Sequence, residues 1–515
     1  MANEKKQNPL NNSRPIDIHR WSNYPQVVKA VDELATELGF KDRRFKKCLR
    51  LVIVDLYQAW RVDPTQYVAF HRGENDYRGG TRYNKLRIKY DALIGTIDAL
   101  TREGYVEYHR GIQFYDEAGN YHGHISRMKA RRMLIRYIVT HGIKPHMIGR
   151  CEDEEVIVIR AMKEEKKVGK KTIKIVRNIE DKEETDAITN SRRILQEYNA
   201  LLDRTYIDVD DEHLTDEEQG MLREYTLDLS RKRVHRVFNN DSWEEGGRFY
   251  GAWWMECPKL LRKFIVLNGE PTVELDYSGV HVHLMYALER INYAAKAEDA
   301  YTIEGYPHRD LNKYVFLIAV NAEDDDDCVS GVWKRLMDKR KLSEYGITSV
   351  NQIRDILLAL KAKHDPIKDY IASGKGVKLQ YIDSCIAEDV VEYFSKRNIP
   401  ILTVHDSFIV TNLDEMLLLD RMQLAYMTEF KKYMPVKFKS EMDEIRYDTG
   451  LIQVKRNNDP IIDVDRKELP TFRWNASRVN MKSYYQGRRE LKWKLTGRAS
   501  TLTRLTNIDY TKGIQ

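Results

Sequence analysis

The chain has 515 residues, of which 42% are apolar and 32% charged, and its formal net charge is +6 at pH 7. This length predicts about two to four domains, and the small positive charge permits a polyanionic partner without requiring one. The five cysteines include no C-x-x-C pair, so neither a zinc site nor a disulfide framework is expected. No apolar run approaches the ~18 residues that span a membrane, and the first residues lack the apolar core of a secretory signal. We therefore expect a cytoplasmic protein without a membrane partner.

Two N-terminal segments, 42–60 and 90–103, carry apolar residues at helical spacing, and each predicts an amphipathic helix. Two short strand-like runs, 105–109 and 112–115, follow the second helix. Helix, helix and two-stranded ribbon is the layout of a winged helix-turn-helix. With the helix 90–103 in a major groove, we expect residues 41–150 to bind duplex DNA. The alternative is a helical scaffold with a solvated basic face.

The composition of the chain divides it into segments. Residues 155–177 alternate like a hairpin, in which 156–159 and 173–176 flank a lysine-rich connection. The last segment interleaves aromatic residues with cations, which is typical either of single-strand nucleic-acid binding or of a tail packed on the domain surface. The predicted segments are a loose N-terminal segment (1–40), a winged-helix-like domain with a hairpin (41–180), an acidic helical linker (181–230), a mixed strand–helix domain (231–450) and a basic aromatic tail (451–515).

The segment 273–277 predicts a strand that places a carboxylate at its end. Apolar and acidic residues alternate along it, so Glu274 and Asp276 lie on the face opposite the apolar residues. An aspartate at a strand end, facing away from the core, can bind a hard cation through oxygen. Taken alone, Asp276 is explained equally well as a cap of the strand end.

A second carboxylate interrupts an apolar stretch near the end of the mixed domain. The runs 399–404 and 408–410 are nearly all apolar, yet His405 and Asp406 stand between them. An ionised carboxylate in such a run costs several kcal/mol unless it is paired or metal-bound. We expect a hairpin turn that aims Asp406 at a metal shared with Asp276.

Between these segments lies a predicted helix with two cations. Arg309, Lys313, Leu317 and Asn321 recur every four residues and so form one stripe. Like charges at this spacing are unfavourable without a partner, which a triphosphate would supply. Alone the pair is equally a solvated face, but the three segments in this order predict a templated nucleotidyltransferase.

These segments resemble the palm and fingers of family A DNA polymerases and of the related phage-type single-subunit RNA polymerases, over roughly 238–434. The matching motifs are Asp276-Tyr277-Ser278 for the first catalytic motif, Arg309-x-x-x-Lys313 for the nucleotide-binding helix, Val404-His405-Asp406 for the second catalytic motif, Gly247-Arg248-Phe249-Tyr250 for a primer–template contact, and Leu379-Gln380 for the helix that precedes the last motif. The layout is also similar to polymerase-like proteins of bacterial mobile elements and phages.

The resemblance implies an α+β protein, with an N-terminal winged-helix-like domain followed by a right-hand polymerase palm with reduced fingers. It implies two Mg²⁺ ions, with Mn²⁺ as the alternative, held by Asp276, Asp406 and the Tyr277 carbonyl. It further implies DNA primer–template and nucleoside triphosphates as partners. The implied contacts are Arg309 and Lys313 on the triphosphate, Leu317 and Asn321 by the base, His281 by the sugar, and Arg248, Gln380 and His405 on primer–template.

Three positions depart from the DNA polymerases of this family. His281 stands where they carry a glutamate that excludes ribose, and Asn321 stands where they usually carry tyrosine. Ser407 follows the second aspartate, as in phage-type RNA polymerases. We expect a DNA polymerase. An RNA polymerase or primase on the same palm, and a non-catalytic winged-helix initiator or regulator, stay open as alternatives.

Overall fold

The computed structural model describes residues 9–77, 80, 82–115, 121–168, 171–175, 177–211, 214–225, 227–277, 279–291, 293, 299–431 and 452–455. Helices and strands are mixed along the whole of these ranges, so the predicted α+β class is confirmed. Ser278 and all but four residues of the predicted basic tail lie outside the described residues.

The N-terminal region combines four helices with a small sheet. Its elements are β1 (Ser13–Pro15), β2 (Arg20–Trp21), α1 (Pro25–Glu37), α2 (Arg43–Val62), β3 (Tyr67–Phe70), α3 (Tyr90–Arg102), β4 (Val106–His109), β5 (Ile112–Tyr115), β6 (Tyr121–His124), β7 (Ser126–Ala130), α4 (Arg132–Thr140) and β8 (Gly149–Arg150). The sheet has the order β1-β3-β7-β4, while β5 and β6 form a separate antiparallel ribbon and β2 pairs with β8.

The two helices predicted from apolar spacing are present as α2 and α3. The Asp42 carboxylate accepts a hydrogen bond from the Arg44 amide and so caps the start of α2. Leu49, Val52 and Leu56 lie on the buried face of α2 and pack in one core with the apolar residues of α1 and α3. Apolar residues at helical spacing therefore predicted both helices, although most side chains of each are buried rather than a single stripe.

Helix α3 differs from the expected DNA-reading helix. Most of its side chains are buried, and its exposed positions include Asp91 and Asp98. Both carboxylates are paired, Asp91 with Arg44 at 2.7 Å and Asp98 with Arg72 at 2.7 Å. Because this face carries acidic groups and the rest of the helix is packed, it is poorly suited to a phosphate-lined groove.

The second region carries the larger sheet. Its elements are β9 (Ile157–Ile159), β10 (Glu164–Val168), β11 (Lys171–Ile175), α5 (Asp186–Arg204), β12 (Ile207–Val209), α6 (Asp216–Glu224), β13 (His235–Phe238), β14 (Gly246–Tyr250), α7 (Trp253–Glu256), α8 (Lys259–Arg262), β15 (Ile265–Leu267), β16 (Glu270–Tyr277), α9 (Val280–Leu288), α10 (Arg309–Ala319), α11 (Asp325–Asp338), α12 (Val350–Lys363), α13 (Gly376–Lys396), β17 (Leu402–Val404), β18 (Ser407–Thr411), α14 (Glu415–Lys431) and β19 (Ile452–Lys455).

Strand β16 is central to this sheet, whose order is β12-β15-β16-β18-β17 with β19 also paired to β16. A tight turn at Asn268 and Gly269 joins β15 to β16, and both residues have positive φ, 52° and 88°. An Asn-Gly turn of this kind matches the twist of an antiparallel hairpin. Strand β18 pairs with β16 over its second half, and β19 covers the opposite edge of that half.

Three predicted segments differ from the structure. The segment 1–40, predicted to be loose, contains α1, whose apolar side chains pack in the N-terminal core. Strand β9 pairs in parallel with β13, while the hairpin is formed by β10 and β11, so 156–159 and 173–176 are not partners. The predicted linker 181–230 contains α5 and β12, which belong to the same core as β16 and α13. Its acidic residues concealed this, because the buried side chains of α5 recur at helical spacing between charged ones.

The acidic run 323–327 lies at the start of a helix. Asp324 caps α11, and Asp325 and Asp326 form its first turn. Lys361 binds Asp325 at 2.6 Å, and Arg354 binds Asp326 at 2.6 Å. Carboxylates at a helix N-terminus are favoured by the helix dipole, so the run is explained by the helix that it starts.

Buried ions join the N-terminal region to the second region. We call Arg14, Asp17, Arg20, Asp55 and Asp228 the Arg20 cluster. Arg14 binds Asp55 at 2.7 Å, and the Arg20 guanidinium lies 3.5–3.7 Å from Asp17, Asp55 and Asp228. The two regions are thus connected through charged side chains. No helix within the described ranges is long and apolar enough to cross a membrane.

Candidate active site

Asp276 and Asp406 meet at one end of the large sheet. Strand β16 runs antiparallel to β18 with Asp276 opposite Ser407, and a two-residue turn of His405 and Asp406 joins β17 to β18. The Tyr277 amide lies 3.4 Å from the Asp406 carbonyl oxygen, toward which it donates. Asp406 therefore lies in the turn directly beside the strand end that carries Asp276, although the two aspartates are 130 residues apart in the sequence.

The turn that carries Asp406 is strained. His405 has a φ of 57°, in the left-handed region that costs a residue with a Cβ about 1 kcal/mol. Its ring packs edge-on against Tyr250 on β14, with centroids 5.8 Å apart. Burial, and then the Arg248 charge, lower the pKa of His405. Backbone strain that persists in a well-packed turn is typical of functional sites.

A third carboxylate lies beside Asp406. Asp383, on α13, is buried and receives hydrogen bonds from Arg248 Nε at 3.1 and 3.2 Å and from Arg248 Nη2. Its Oδ2 also lies 2.7 Å from His281 Nε2. We call Arg248, His281, Asp383 and Asp406 the Asp383 cluster. The sequence analysis missed Asp383, because its partners come from distant segments and its own helix gives no sign of them.

Charge is unevenly compensated in this cluster. Burial, and then the charge of Asp383, raise the pKa of Asp406, and the opposing effects of Arg248 and His281 are smaller. Burial also acts to raise the pKa of Asp383, but the His281 hydrogen bond and the Arg248 charge hold it below the ordinary value. Arg248 is thus committed to Asp383, and the neighbouring Asp406 is left with excess negative potential.

Glycine makes the position of Arg248 possible. Gly247 has a φ of 73°, and a Cβ there would lie 2.9 Å from Ser384 Oγ and 3.0 Å from Arg236 Nη2. Those two groups are themselves hydrogen-bonded at 2.8 Å, beneath β14. The backbone of β14 can therefore lie directly on α13, which brings Arg248 against Asp383.

Ser407 is bound within the sheet rather than directed at a ligand. Its hydroxyl lies 2.9 Å from Glu274 Oε1 and 3.1 Å from the Val404 carbonyl oxygen, and it donates its one proton to either of these acceptors. Glu274 is in turn bound by Arg262, with N···O distances of 3.0 and 3.1 Å. The alternation predicted along β16 is present: Glu274 and Asp276 are half-buried, while Val273, Leu275 and Tyr277 are buried.

The predicted cation stripe is present on α10. Arg309, Lys313, Leu317 and Asn321 are all exposed, whereas Leu311, Val315 and Phe316 pack into the core on the opposite face. Arg309 Nε binds Asp299 Oδ2 at 3.0 Å, and this contact contributes to raising the pKa of Arg309. Lys313 has no carboxylate partner within the described residues.

Tyr301 links the stripe to the carboxylates, and the sequence analysis missed it. Its buried ring lies 5.5 Å from the Arg309 guanidinium and 5.6 Å from Lys313 Nζ. A Cβ on Gly279, just after β16, would lie 3.6 Å from the Tyr301 hydroxyl. Burial, and then nearby carboxylates that include Asp406, raise the pKa of Tyr301 to about 12. A neutral phenol therefore lies between two cations and the sheet end.

Two other predicted residues meet away from the sheet end. Gln380 Nε2, at the start of α13, donates to Asn321 Oδ1 at 2.8 Å. Asn321 follows α10 and stands twelve residues after Arg309, which corresponds to about 18 Å along a helix. The predicted residues thus form two groups, one at the carboxylates and one where α10 ends, with the stripe of α10 between them.

The oxygen donors at the sheet end fit a hard divalent cation. Asp276 and Asp406 supply carboxylates, and Tyr277 can supply only its carbonyl, because its hydroxyl is buried and donates to the Met422 carbonyl at 2.5 Å. The excess negative potential at Asp406 is also what a bound cation would relieve. Within the described ranges no group of three or more His, Cys, Asp or Glu side chains is arranged to hold a metal ion. The candidate site therefore consists of two carboxylates and a backbone oxygen.

In comparisons with known proteins, no protein-family model matches the chain, and no curated protein matches its sequence significantly.

Proposed function

We propose that the protein is a template-directed nucleotidyltransferase, most consistent with a DNA polymerase that adds nucleotides to a primer 3′ end in the cytoplasm. The observation that supports the proposal is that Asp276 and Asp406 lie at the same end of the sheet, while the exposed cations of α10 lie against the ring of Tyr301, whose hydroxyl is near Gly279 at that end. Nucleotide transfer needs both the carboxylates and the cations, because the enzyme must hold divalent metal ions and a triphosphate side by side.

Each group has a distinct role in this proposal. Asp276, Asp406 and the Tyr277 carbonyl would hold two Mg²⁺ ions, or Mn²⁺, which supply Lewis acidity at the primer hydroxyl and the departing pyrophosphate. Arg309 and Lys313 bind the triphosphate. Leu317 and Asn321 lie by the base, and His281 lies by the sugar. Arg248, Gln380 and His405 contact primer–template, where Arg248 and His405 flank Asp406.

For the N-terminal region we propose a winged-helix fold that binds duplex DNA through residues 41–150. Strands β3, β7 and β4 are adjacent in that order, and the ribbon β5–β6 lies between β4 and β7 in the chain, as in a winged helix. The exposed, unpaired cations within the described residues include Arg131, Arg132 and Arg136 at α4. These are better placed than the acidic face of α3 to contact phosphates.

The contacts of Ser407 and His281 support a second candidate, an RNA polymerase or primase on the same palm. Ser407 binds Glu274 inside the sheet, and His281 binds Asp383. The His281 side chain, which this proposal places by the sugar, is not a carboxylate, and Ser407 contacts Glu274 rather than a nucleotide. A carboxylate excludes ribose in the DNA polymerases that the chain resembles. Primer extension with dNTPs or rNTPs supplied separately therefore determines the sugar preference of this protein.

The test is extension of a labelled primer on a DNA template with Mg²⁺, with dNTPs or rNTPs supplied separately. Extension with dNTPs supports the DNA polymerase, and extension with rNTPs alone moves the protein to the RNA-synthesising branch. The Asp406→Asn variant is the control for a contaminating polymerase. Absence of extension with both nucleotide types, and with Mn²⁺ in place of Mg²⁺, refutes the proposal and leaves a DNA-binding initiator.

A further inference from the structure

Asp383 has no role in the function proposed above, yet it is among the most costly groups in the second region. It is a carboxylate 5% exposed, placed near a second, half-buried carboxylate, Asp406. A buried carboxylate of this kind lowers the stability of the fold unless its contacts with other groups offset the cost of removing it from water. Its partners are Arg248 and His281, which come from β14 and α9.

The hydrogen bonds at Asp383 fix the state of both partners. His281 Nε2 lies 2.7 Å from Asp383 Oδ2, so this nitrogen must carry the proton and donate it to the carboxylate. Arg248 Nη2 lies 3.0 Å from the same nitrogen, which as a donor cannot accept a bond from it. The Nε proton and one Nη2 proton of Arg248 are therefore used on Asp383, and the ring tautomer of His281 is set with them.

The charge of Arg248 is compensated by the same contact. Its guanidinium and the Asp383 carboxylate form a buried pair, with side chains 19% and 4% exposed. Within the described residues Nη1 of Arg248 has no partner, so this donor is left for a ligand. A compensated guanidinium offers hydrogen bonds but little net charge, which suits a neutral acceptor better than an anion.

We propose that Asp383 is a positioning residue that holds Arg248 and His281 as one unit beside Asp406, and that this unit binds an uncharged part of a nucleic-acid end, a base edge or a sugar hydroxyl, rather than a phosphate. The inference rests on the proposed function, because it takes the ligand beside Asp406 to be a primer–template. It adds that Arg248 contributes contacts without contributing to the phosphate-neutralising charge.

The salt dependence of binding separates these two kinds of contact. Each phosphate neutralised by a cation adds about −0.9 to the slope of log K against log salt concentration on duplex DNA, whereas a neutral contact adds nothing. The double variant Arg248→Met with Asp383→Leu removes both charges of the pair. It is therefore expected to weaken binding several-fold at every salt concentration and to leave the slope unchanged. Asp383→Asn frees the Arg248 charge, and the slope is expected to steepen by about 0.9.

The experiment measures fluorescence anisotropy of a labelled primer–template over a series of KCl concentrations, without nucleotide, for the full chain. Glu392→Gln is the matched control, since Glu392 is ion-paired on the same helix about 13 Å farther along. That variant should keep the wild-type slope. If Asp383→Asn does not fold, the double variant Arg248→Met with Asp383→Leu removes both charges, and it should also keep the wild-type slope.

A slope flattened by about 0.9 in the double variant would show a phosphate contact and overturn the inference. So would an unchanged slope in a folded Asp383→Asn. Primer extension by the wild type, measured in parallel, distinguishes failure of this inference from failure of the proposed function. Extension together with a contrary slope refutes this inference alone, while absence of extension refutes the proposed function whatever the slopes are.

Discussion

Charged side chains are buried in two parts of the described chain, and the two clusters differ in how their charges balance. In the Arg20 cluster every carboxylate lies within 4 Å of a guanidinium, and Arg150 binds Asp17 at 2.7 Å as a further cation. In the Asp383 cluster the guanidinium of Arg248 is bound to one carboxylate, Asp383, while Asp406 is left beside them.

The pKa values follow this difference. Burial acts to raise the pKa of Asp17 and of Asp228, but the guanidinium groups of Arg150 and Arg20 hold both pKa values below the ordinary carboxyl range. The pKa of Asp406 is instead raised by burial and by Asp383. A compensated cluster stabilises the fold, whereas an uncompensated one costs stability and persists where a ligand supplies the missing charge.

The largest effect is expected from the carboxylates at the sheet end. Asp276→Asn or Asp406→Asn should lower nucleotide incorporation by at least about 10³-fold, because each removes a charge that acts on the reacting groups. Single-turnover primer extension measures the loss, and primer–template binding should change little. Asp32→Asn, which removes one partner of an exposed ion pair in the N-terminal region, should keep full incorporation. If Asp406→Asn still incorporated nucleotides, the Asp383 cluster would not differ in function from the Arg20 cluster.

The Arg20 cluster should show the opposite behaviour. Asp55→Asn leaves Arg14 and Arg20 without their shared buried carboxylate, and the free energy of unfolding should fall by about 3–5 kcal/mol. Urea denaturation measures the fall, and incorporation per folded molecule should stay at the wild-type level. Asp32→Asn, whose pair with Lys46 is exposed, should cost below about 1 kcal/mol. A similar loss of unfolding free energy in Asp55→Asn and Asp32→Asn would show that burial does not distinguish the two ion pairs.

A smaller effect is expected on the cation stripe. Lys313→Met keeps the length of the side chain but removes a charge that has no carboxylate partner within the described residues. The KM for the nucleotide should rise about tenfold, equivalent to about 1.4 kcal/mol of binding, with kcat little changed. Steady-state kinetics at saturating primer–template measure this. Lys29→Met, at an exposed position of α1 in the N-terminal region, is the matched control and should leave KM unaltered.

Local periodicity predicted those parts of the site that depend on a single element. The alternation along β16, the four-residue spacing on α10 and the polar interruption between β17 and β18 each follow from burying one face of a strand or helix. The same argument found the start and end of α2 and α3 within two residues.

Contacts between distant segments could not be predicted in this way. Asp383 depends on Arg248 and His281, which lie 135 and 102 residues away. Tyr301 is placed by Asp299, whose carboxylate binds both the Tyr301 amide and Arg309. The parallel pairing of β9 with β13 and the burial of α5 are also set by tertiary packing, which overrides the acidic composition of that stretch.

The most direct test of the contrast between the clusters is the free energy of unfolding of Asp406→Asn, measured with its incorporation. Because the folded pKa of Asp406 is raised, ionising this group costs the folded state, and the cost appears as pH rises above the ordinary carboxyl value of about 4. At pH 7 without metal, Asp406→Asn should therefore be more stable than the wild type by roughly 1 kcal/mol while losing incorporation. The gain should vanish in acid. A variant that is less stable than the wild type at pH 7, or that still incorporates nucleotides, would contradict the account.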